Sequence, residues 1–450
     1  MTDPTSLAAF RFGYGYPLPA GTPTEPAAML KLLAGPDQAA KTWPGIGLRE
    51  ALPLYRTSAA ARREARLGEE QKLRYKAAVR AIRMQTQDAT QVMLTRAVLS
   101  PDGFRERLVQ FWADHFTTKG RFLQDASLPS ALVEDAVRPH VAGRFGDMLK
   151  LAVLHPAMLM YLDQVLSYGP ESPEGIKRKR GLNENLAREL IELHTLGVGA
   201  DYSQDDVRQM AELLTGVVFD PEVGQAFDPD RAEPGDETVL GRVYSGEGMK
   251  PVLAALDDLA LRPETAAHIA RKLAVHFVSD TPDVGLVAAM TQAYTASGGD
   301  LMAVYGALLG HPAAWGPLAK VRQPFDFMSA SLRALGLDDV RLIKMGNGKF
   351  RRNILLPMGG MGQPWQEPGG PDGWPEVAEA WITPQGLAGR IAWAMAVPEQ
   401  LVNPLPAPRD FAVTALGPLA SERLLWAAER AEKISDGIGL VLASPEFNRR

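Results

Sequence analysis

From Ser58 to Leu99 the sequence reads SAAARREARLGEEQKLRYKAAVRAIRMQTQDATQVMLTRAVL, good helix formers with both signs of charge at helical spacing and no proline. The pattern predicts one long helix or two, broken near Gly68. No other stretch constrains the fold as strongly. Its basic residues could form a nucleic-acid arm, but Glu64, Glu69 and Glu70 are interleaved with them, which marks a solvated helix face.

Helical patterns continue along most of the chain. In SPDGFRERLVQFWADHF, Ser100 reads as an N-cap with Pro101 at the first helical position. Further helices are predicted around 130–154, 156–166, 183–196, 204–215, 249–260, 264–278, 284–296, 300–310, 325–335, 385–396 and 420–443. Strand signals are few, TVLGRVY (238–244) and NILLP (353–357) being the best, and no repeat of solenoid period stands out. The expected fold class is mainly α: a large multi-helical globular domain with minor short β-strands and a long Pro/Gly/Trp-rich irregular segment.

At 450 residues the chain exceeds the usual single-core size. Residues 1–450 therefore form one large helical domain or two lobes. The lobes would be 1–216, carrying a charged helix hairpin, and 249–450, separated by an irregular insertion at 217–248. Three irregular segments interrupt the helices. Residues 167–182 (SYGPESPEGIKRKRGL) carry the basic run Lys177–Arg180, and 219–248 are rich in Asp, Gly and Pro. Residues 345–384 contain MGNGKF, which reads as a turn, and then MGQPWQEPGGPDGWPEVAEAWITP. A stretch of that length is usually functional or disordered. Three of the eight Trp lie between 365 and 381, which disfavours disorder because Trp is ordered by burial.

Composition narrows the chemistry. A net charge of −5 argues against broad nucleic-acid binding, which needs a basic face. Zero Cys removes disulfides, thiolate zinc sites, iron–sulfur clusters and cysteine nucleophiles, so any metal would be held by His, Asp, Glu or backbone oxygens. No apolar stretch reaches membrane-spanning length; the best candidate, Leu151 to Leu162, is interrupted by His155–Pro156. The N-terminus, MTDPTSLAAFRFGYGYPLPAG, shows no export signal. The expected location is cytoplasmic, and export of a longer natural form stays open.

NENLARELIELHTLGVG, residues 183–199, concentrates carboxylates, an asparagine, an arginine and a histidine in one helical run. At about 100° per residue, Glu192 lies roughly 20° to one side of Asn185, Glu189 roughly 40° to the other and Arg188 roughly 60° away. His194 points about 180° from Asn185, so a Glu/His metalloprotease helix is excluded. His194 is expected near the C-terminus, before Gly197 as the C′ residue, where a histidinium would complement the dipole. The compact face of Asn185, Arg188, Glu189 and Glu192 contains two i,i+4 pairs, Glu184–Arg188 and Arg188–Glu192. It reads either as a surface ion-pair ladder or as a carboxylate pair aimed into a cleft, with Arg188 binding an anion. GADYSQDDVRQMAELLTG then starts a second helix on a Ser203/Asp206 capping box, giving an αα-hairpin. Only Arg208 on that helix could contact DNA.

His115 shares a helical face with Phe104, Leu108, Phe111 and Trp112, so it points where a core should be. It reads as a hydrogen-bonded core histidine or as a ligand or acid/base group. Across a helix–helix contact, His115, Glu189 and Glu192 could form a carboxylate–histidine site holding a divalent metal. His155 precedes Pro156 and ends a helix; His268 and His276 read as packed. The chain has no Gly-x-Ser-x-Gly elbow, Walker phosphate loop, dinucleotide fingerprint or His-Glu-x-x-His.

Several stretches, in order, resemble a bacterial family, the domain-of-unknown-function family 1800. They are RFGYG (11–15), RERLVQFWADHFTT (105–118), HPAMLMYLDQ (155–164), GLNENLARELIELHTLGVGADYSQDDVRQMAELLTG (181–216), RAEPGDETVLGRVY (231–244), RKLAVHFVSDTP (271–282), RQPFDFMSASLRALG (322–336), MGQPWQEPGGPDGWPE (361–376) and ASPEFNRR (443–450). The resemblance implies that the charged helix, the Trp-His-Phe helix and the Pro–Trp loop belong to one domain. It assigns no activity and no catalytic residue. It also implies a genomic neighbour related to alkaline-phosphatase-like and sulfatase-like proteins.

Two functional expectations follow. In the first, an enzyme uses Glu189, Glu192 and His115 for acid/base or metal chemistry, with Asn185, Arg188 and Trp374 holding an anionic substrate. The basic loop 177–180 and the segment 365–381 would be lid and wall. In the second, the chain is a non-catalytic scaffold or accessory partner of the phosphatase- or sulfatase-like neighbour, contacting it through the Pro–Trp segment.

Overall fold

The long charged run breaks beside Gly68. In the computed structural model, which describes residues 3–66 and 68–450, Leu48–Glu64 and Glu69–Leu99 are two helices packed against each other. Glu69 and Glu70 occupy the first turn of the second, where the helix dipole favours carboxylates.

Among the described residues the fold is mainly helical, with strands confined to two antiparallel hairpins. Helices form at Lys250–Leu261, Pro263–Phe277, Val284–Ser297, Leu301–Gly310, Pro324–Ala334 and Pro384–Ala396. Pro263, Pro324 and Pro384 each take the first helical position, where a missing N–H costs nothing and φ is already set. The Ser203/Asp206 capping box forms as expected. No helix among the described residues is long and apolar enough to cross a membrane.

Several local expectations are corrected. The helix of the Trp-His-Phe segment spans Gly103–His115 and is capped by Asp102, whose carboxylate accepts from the Arg105 N–H, while Ser100 closes the preceding helix. The 130–154 pattern divides into shorter pieces, because Pro139 lacks the N–H that a continuous helix needs. The 420–443 pattern likewise divides into Glu422–Glu429 and Ile434–Ala443. NILLP is helical, not a strand: a wide π-helical turn at Arg351–Leu355 leads into Leu356–Gly360. Phe350, Ile354 and Met358, four residues apart, are all buried on one face. MGNGKF is the start of that unit, with Gly346 as the N-cap of Asn347–Phe350. The other expected strand is present as the hairpin Glu237–Val239/Arg242–Tyr244, turning at Leu240–Gly241 with both residues at positive φ. A second hairpin pairs Val217–Asp220 with Gly224–Phe227.

Two apolar cores organise the helices. Helices on both sides of the 217–248 segment share the first, including Gly103–His115, Phe145–Val153, Pro263–Phe277 and Leu301–Gly310. The second is built from Pro324–Ala334 and the C-terminal helices. The N-terminal segment threads between them: Ala8 and Phe12 enter the first core, Ala9, Phe10 and Tyr14 the second. Arg11, fully buried, is held there by the carbonyls of Ala314, Gly316 and Pro317 at 2.5, 3.0 and 2.7 Å. Buried ion pairs cross the same junction, with Arg107 on one side and Arg450 on the other reaching Asp326 at 3.2 and 2.9 Å. Trp365 packs on both cores, and the candidate site lies beside it.

Candidate functional site

Three segments from distant parts of the chain build the site. The helix Gly103–His115 supplies Asp114 and His115 near its C-terminus. The helix Pro263–Phe277 carries His268, Lys272 and His276 at i, i+4 and i+8, a single stripe. The loop after Gly360 brings Asp372, Trp374 and Glu376 across both. These groups line an opening of about 300 Å³ whose walls include Phe111, Asp114, His115, His268, Arg271, Lys272, Trp374 and Glu376. A narrower space of about 80 Å³ lies beside it, and Asp114, Trp374 and Glu376 border both. Pockets at the seam between two packed units are a common place for ligand sites.

Backbone geometry fixes the loop against Asp114. Gly373 has φ +83°, and a Cβ there would lie 2.8 Å from both the carbonyl oxygen and Oδ1 of Asp114. Only glycine fits so close an approach at that φ. The next N–H, of Trp374, donates to Asp114 Oδ1 at 2.9 Å. Burial pushes the Asp114 carboxyl up to about 7, with Glu376 and Asp372 adding to the rise; the Trp374 hydrogen bond and Lys272 pull the other way.

Glu376 behaves oppositely. Its Oε1 meets His276 Nδ1 at 2.5 Å, its Oε2 meets Lys320 Nζ at 3.1 Å, and its backbone carbonyl accepts from the same ammonium at 2.6 Å. Burial alone would raise it, but His276 and Lys320 outweigh that and hold it at about 2. Arg107 lies 3.3 Å from His276 Nε2 and can only donate, so the ring proton sits on Nδ1, facing Glu376. Two carboxyl groups on one opening are thus driven apart, Asp114 towards the acid and Glu376 towards the anion.

Arg271 and Lys272 are the basic residues of the opening, and Lys272 stands without an ion pair. Among the described residues no carboxylate comes within 4.0 Å of its Nζ. Burial lowers its pKa, opposed by the more distant charges of Asp114, Glu376 and Asp372. Its charge acts on three clustered imidazoles. Ring centroids of His115 lie 6.0 Å from His194 and 6.3 Å from His268. Burial, reinforced by Lys272, holds His194 at about 3 and His268 at about 4, and His115 well below its usual value. All three are neutral at pH 7.

The charged helix occupies Asn185–Glu189 and continues as a π-helical turn, Leu190–Thr195. Its interior face is Leu186, Ala187, Leu190, Ile191 and His194. The expected histidinium at its C-terminus is corrected, because His194 is fully buried, where a charge is too costly to carry. The terminal carbonyls are satisfied from outside instead. His115 Nε2–H donates to the His194 carbonyl at 3.2 Å, and His268 Nε2–H to that of Leu193 at 3.1 Å. Gly197, at φ +92°, closes the helix against the His268 ring.

The predicted site residues therefore separate. His115 and Trp374 line the opening. Asn185 is exposed, and Arg188 pairs with Glu184 at 3.1 Å and with Gln204 at 3.0 Å. The expected Arg188–Glu192 pair is absent, since the wide turn carries Glu192 off the i,i+4 position. Glu189 and Glu192 are half-buried and do not line the opening, and burial, then Glu192 and Asp372, raise Glu189. Among the described residues no three His, Asp or Glu side chains meet as a metal-holding group, and His115 faces two other histidines rather than Glu189 and Glu192. Reading the histidines singly missed Asp114, Lys272 and Glu376. The i, i+4, i+8 stripe His268–Lys272–His276 was the available signal.

A family model described as "Protein of unknown function (DUF1800)" matches residues 20–449. No curated protein and no solved structure matches the chain.

Proposed function

The chain belongs to the DUF1800 family, and from that premise we propose that it is an enzyme whose acid–base cleft, centred on Asp114 and Lys272, acts on a small anionic substrate. The observation that carries this reading is one opening shared by a carboxyl group poised near 7 and a lysine without a counter-ion. A carboxyl group raised towards the neutral range can give and take a proton at little cost, which is what acid–base catalysis requires. Arg271 supplies the positive end for the substrate's anionic group, Lys272 stands beside it as a second basic group, and Trp374 forms a wall. The Trp374 N–H orients Asp114, and the neutral imidazoles of His115 and His268 line the same opening as the lysine. Glu189 and Glu192 stand outside the opening, and Glu189 is coupled by charge to Asp372, which lines it.

The accessory-partner reading has less support. The Pro–Trp segment it would use is folded over Asp114, and Trp381 is buried with its indole N–H on the Pro375 carbonyl at 2.8 Å.

A panel of carboxylate-, phosphate- and sulfate-bearing compounds, ranked by thermal shift and then followed by NMR for turnover, tests the proposal. At least one compound should stabilise the protein by several degrees, with the shift lost in Lys272→Met and turnover lost in Asp114→Asn while binding remains. Equal stabilisation of Lys272→Met by every binder would overturn it.

A further inference from the structure

We propose that Lys272 is a nucleophilic amine that condenses with the carbonyl of a small 2-oxo acid, whose carboxylate is held by Arg271. The inference deepens the reading of Asp114 and Lys272 as one cleft and rests on it.

Two lysines contrast across the same loop. Lys320, fully buried, has Asp280 at 2.5 Å and Glu376 at 3.1 Å, the pairing a permanent ammonium needs in a closed site. Lys272, on the other side of Glu376, has neither. Phe111, Trp374, the neutral imidazoles and the neighbouring Arg271 line the same opening, and desolvation favours the free amine over the ammonium against the more distant carboxyl groups of Asp114, Glu376 and Asp372. A desolvated lysine with a depressed pKa on an open cavity is the activated form of this nucleophile. Arg271 borders the same space, so its guanidinium can anchor a carboxylate while its neighbour in sequence reacts. A volume of about 300 Å³ limits the partner to a small molecule.

The step balances with groups already present. The Lys272 lone pair attacks the carbonyl carbon, and the nitrogen loses one proton as the former carbonyl oxygen gains one, with Asp114 as the relay. Protonated Asp114 then gives its proton to the resulting hydroxyl, which leaves as water. The C–O bond breaks, the C=N bond forms, and Asp114 remains as carboxylate beside the iminium. No oxidant or reductant is consumed.

The test uses the full chain with pyruvate as the simplest 2-oxo acid and sodium cyanoborohydride as the trap, read by intact mass and peptide mapping. One reduced adduct per chain, mapped to Lys272, is expected. It should be absent in Lys272→Arg, and its formation slowed at least tenfold in Asp114→Asn. Lys272→Met, which removes a poorly solvated amine, provides a second folded control, verified by circular dichroism. Labelling spread over exposed lysines such as Lys72 and Lys177, or equal labelling of Lys272→Arg, would overturn the proposal. Lactate, which has the carboxylate but no carbonyl, separates the two readings. If lactate stabilises the protein in an Arg271-dependent way and pyruvate leaves no adduct, the Schiff base is wrong and the anion-binding cleft stands. If neither binds, the 2-oxo acid proposal falls, and the phosphate and sulfate compounds of the panel decide the cleft reading.

Discussion

The helix Asn185–Thr195 and the stripe His268–Lys272–His276 lie side by side, and they handle charge in opposite ways. On the first, acidic and basic residues are dense but mostly solvated, and the pair Glu184–Arg188 is of the kind that contributes little. On the second, charge is sparse and each group is shifted or committed by burial. Desolvation, more than the number of ionisable residues in a stretch, sets how strongly a group is perturbed.

The largest test of that contrast removes Glu376. Glu376→Ala takes the carboxylate partner from His276 and one of two from Lys320, which keeps Asp280, and stability should fall by on the order of 3 kcal/mol in urea denaturation. Glu184→Ala, on the solvated helix, should cost less than about 0.5 kcal/mol in the same assay.

Gly373→Ala comes next. The added methyl meets Asp114 and forces an unfavourable φ, so roughly 1–3 kcal/mol should be lost. As the Trp374 N–H is displaced, the Asp114 carboxyl should titrate higher still, which carboxyl-labelled NMR would show.

Acid sharpens the comparison further. The folded-state values of His115, His194 and His268 are depressed, so between about pH 6.5 and 4 the unfolded chain takes up protons that the fold does not, and stability drops as pH falls. Asp114 works the other way: its raised value adds stability on the acid side, lost as pH rises towards 7. Denaturation midpoints across this window should therefore decline towards acid, and more steeply in Asp114→Asn. The smallest effect is expected from Glu192→Gln and Arg188→Ala, each within about 0.5 kcal/mol by thermal melting. A loss of several kcal/mol there would mean that the two regions are not so different.

The helices were legible because their signal is local. The 3.6-residue pattern, the proline starts and the Ser203/Asp206 box all act within a few residues. NILLP was misread because a short aliphatic run looks the same in a buried helix as in a strand, and only Phe350 and Met358 at four-residue spacing resolve it. The helical wheel placed Asn185 outside and His194 inside, yet the wide turn after Glu189 altered where Glu192 falls. The cleft itself was largely illegible. Asp114 and Trp374 are 260 positions apart, and nothing in either neighbourhood announces their hydrogen bond.

The thread formed by the N-terminal helix has a consequence for biosynthesis. Arg11 waits for carbonyls more than 300 residues downstream, and its neighbours wait for partners later still. A nascent chain therefore carries Phe10, Phe12 and Tyr14 uncovered through most of translation, a high-contact-order arrangement that slows folding and invites chaperone binding. Neither half is finished until the thread is captured, so the two should acquire their final packing together rather than one after the other.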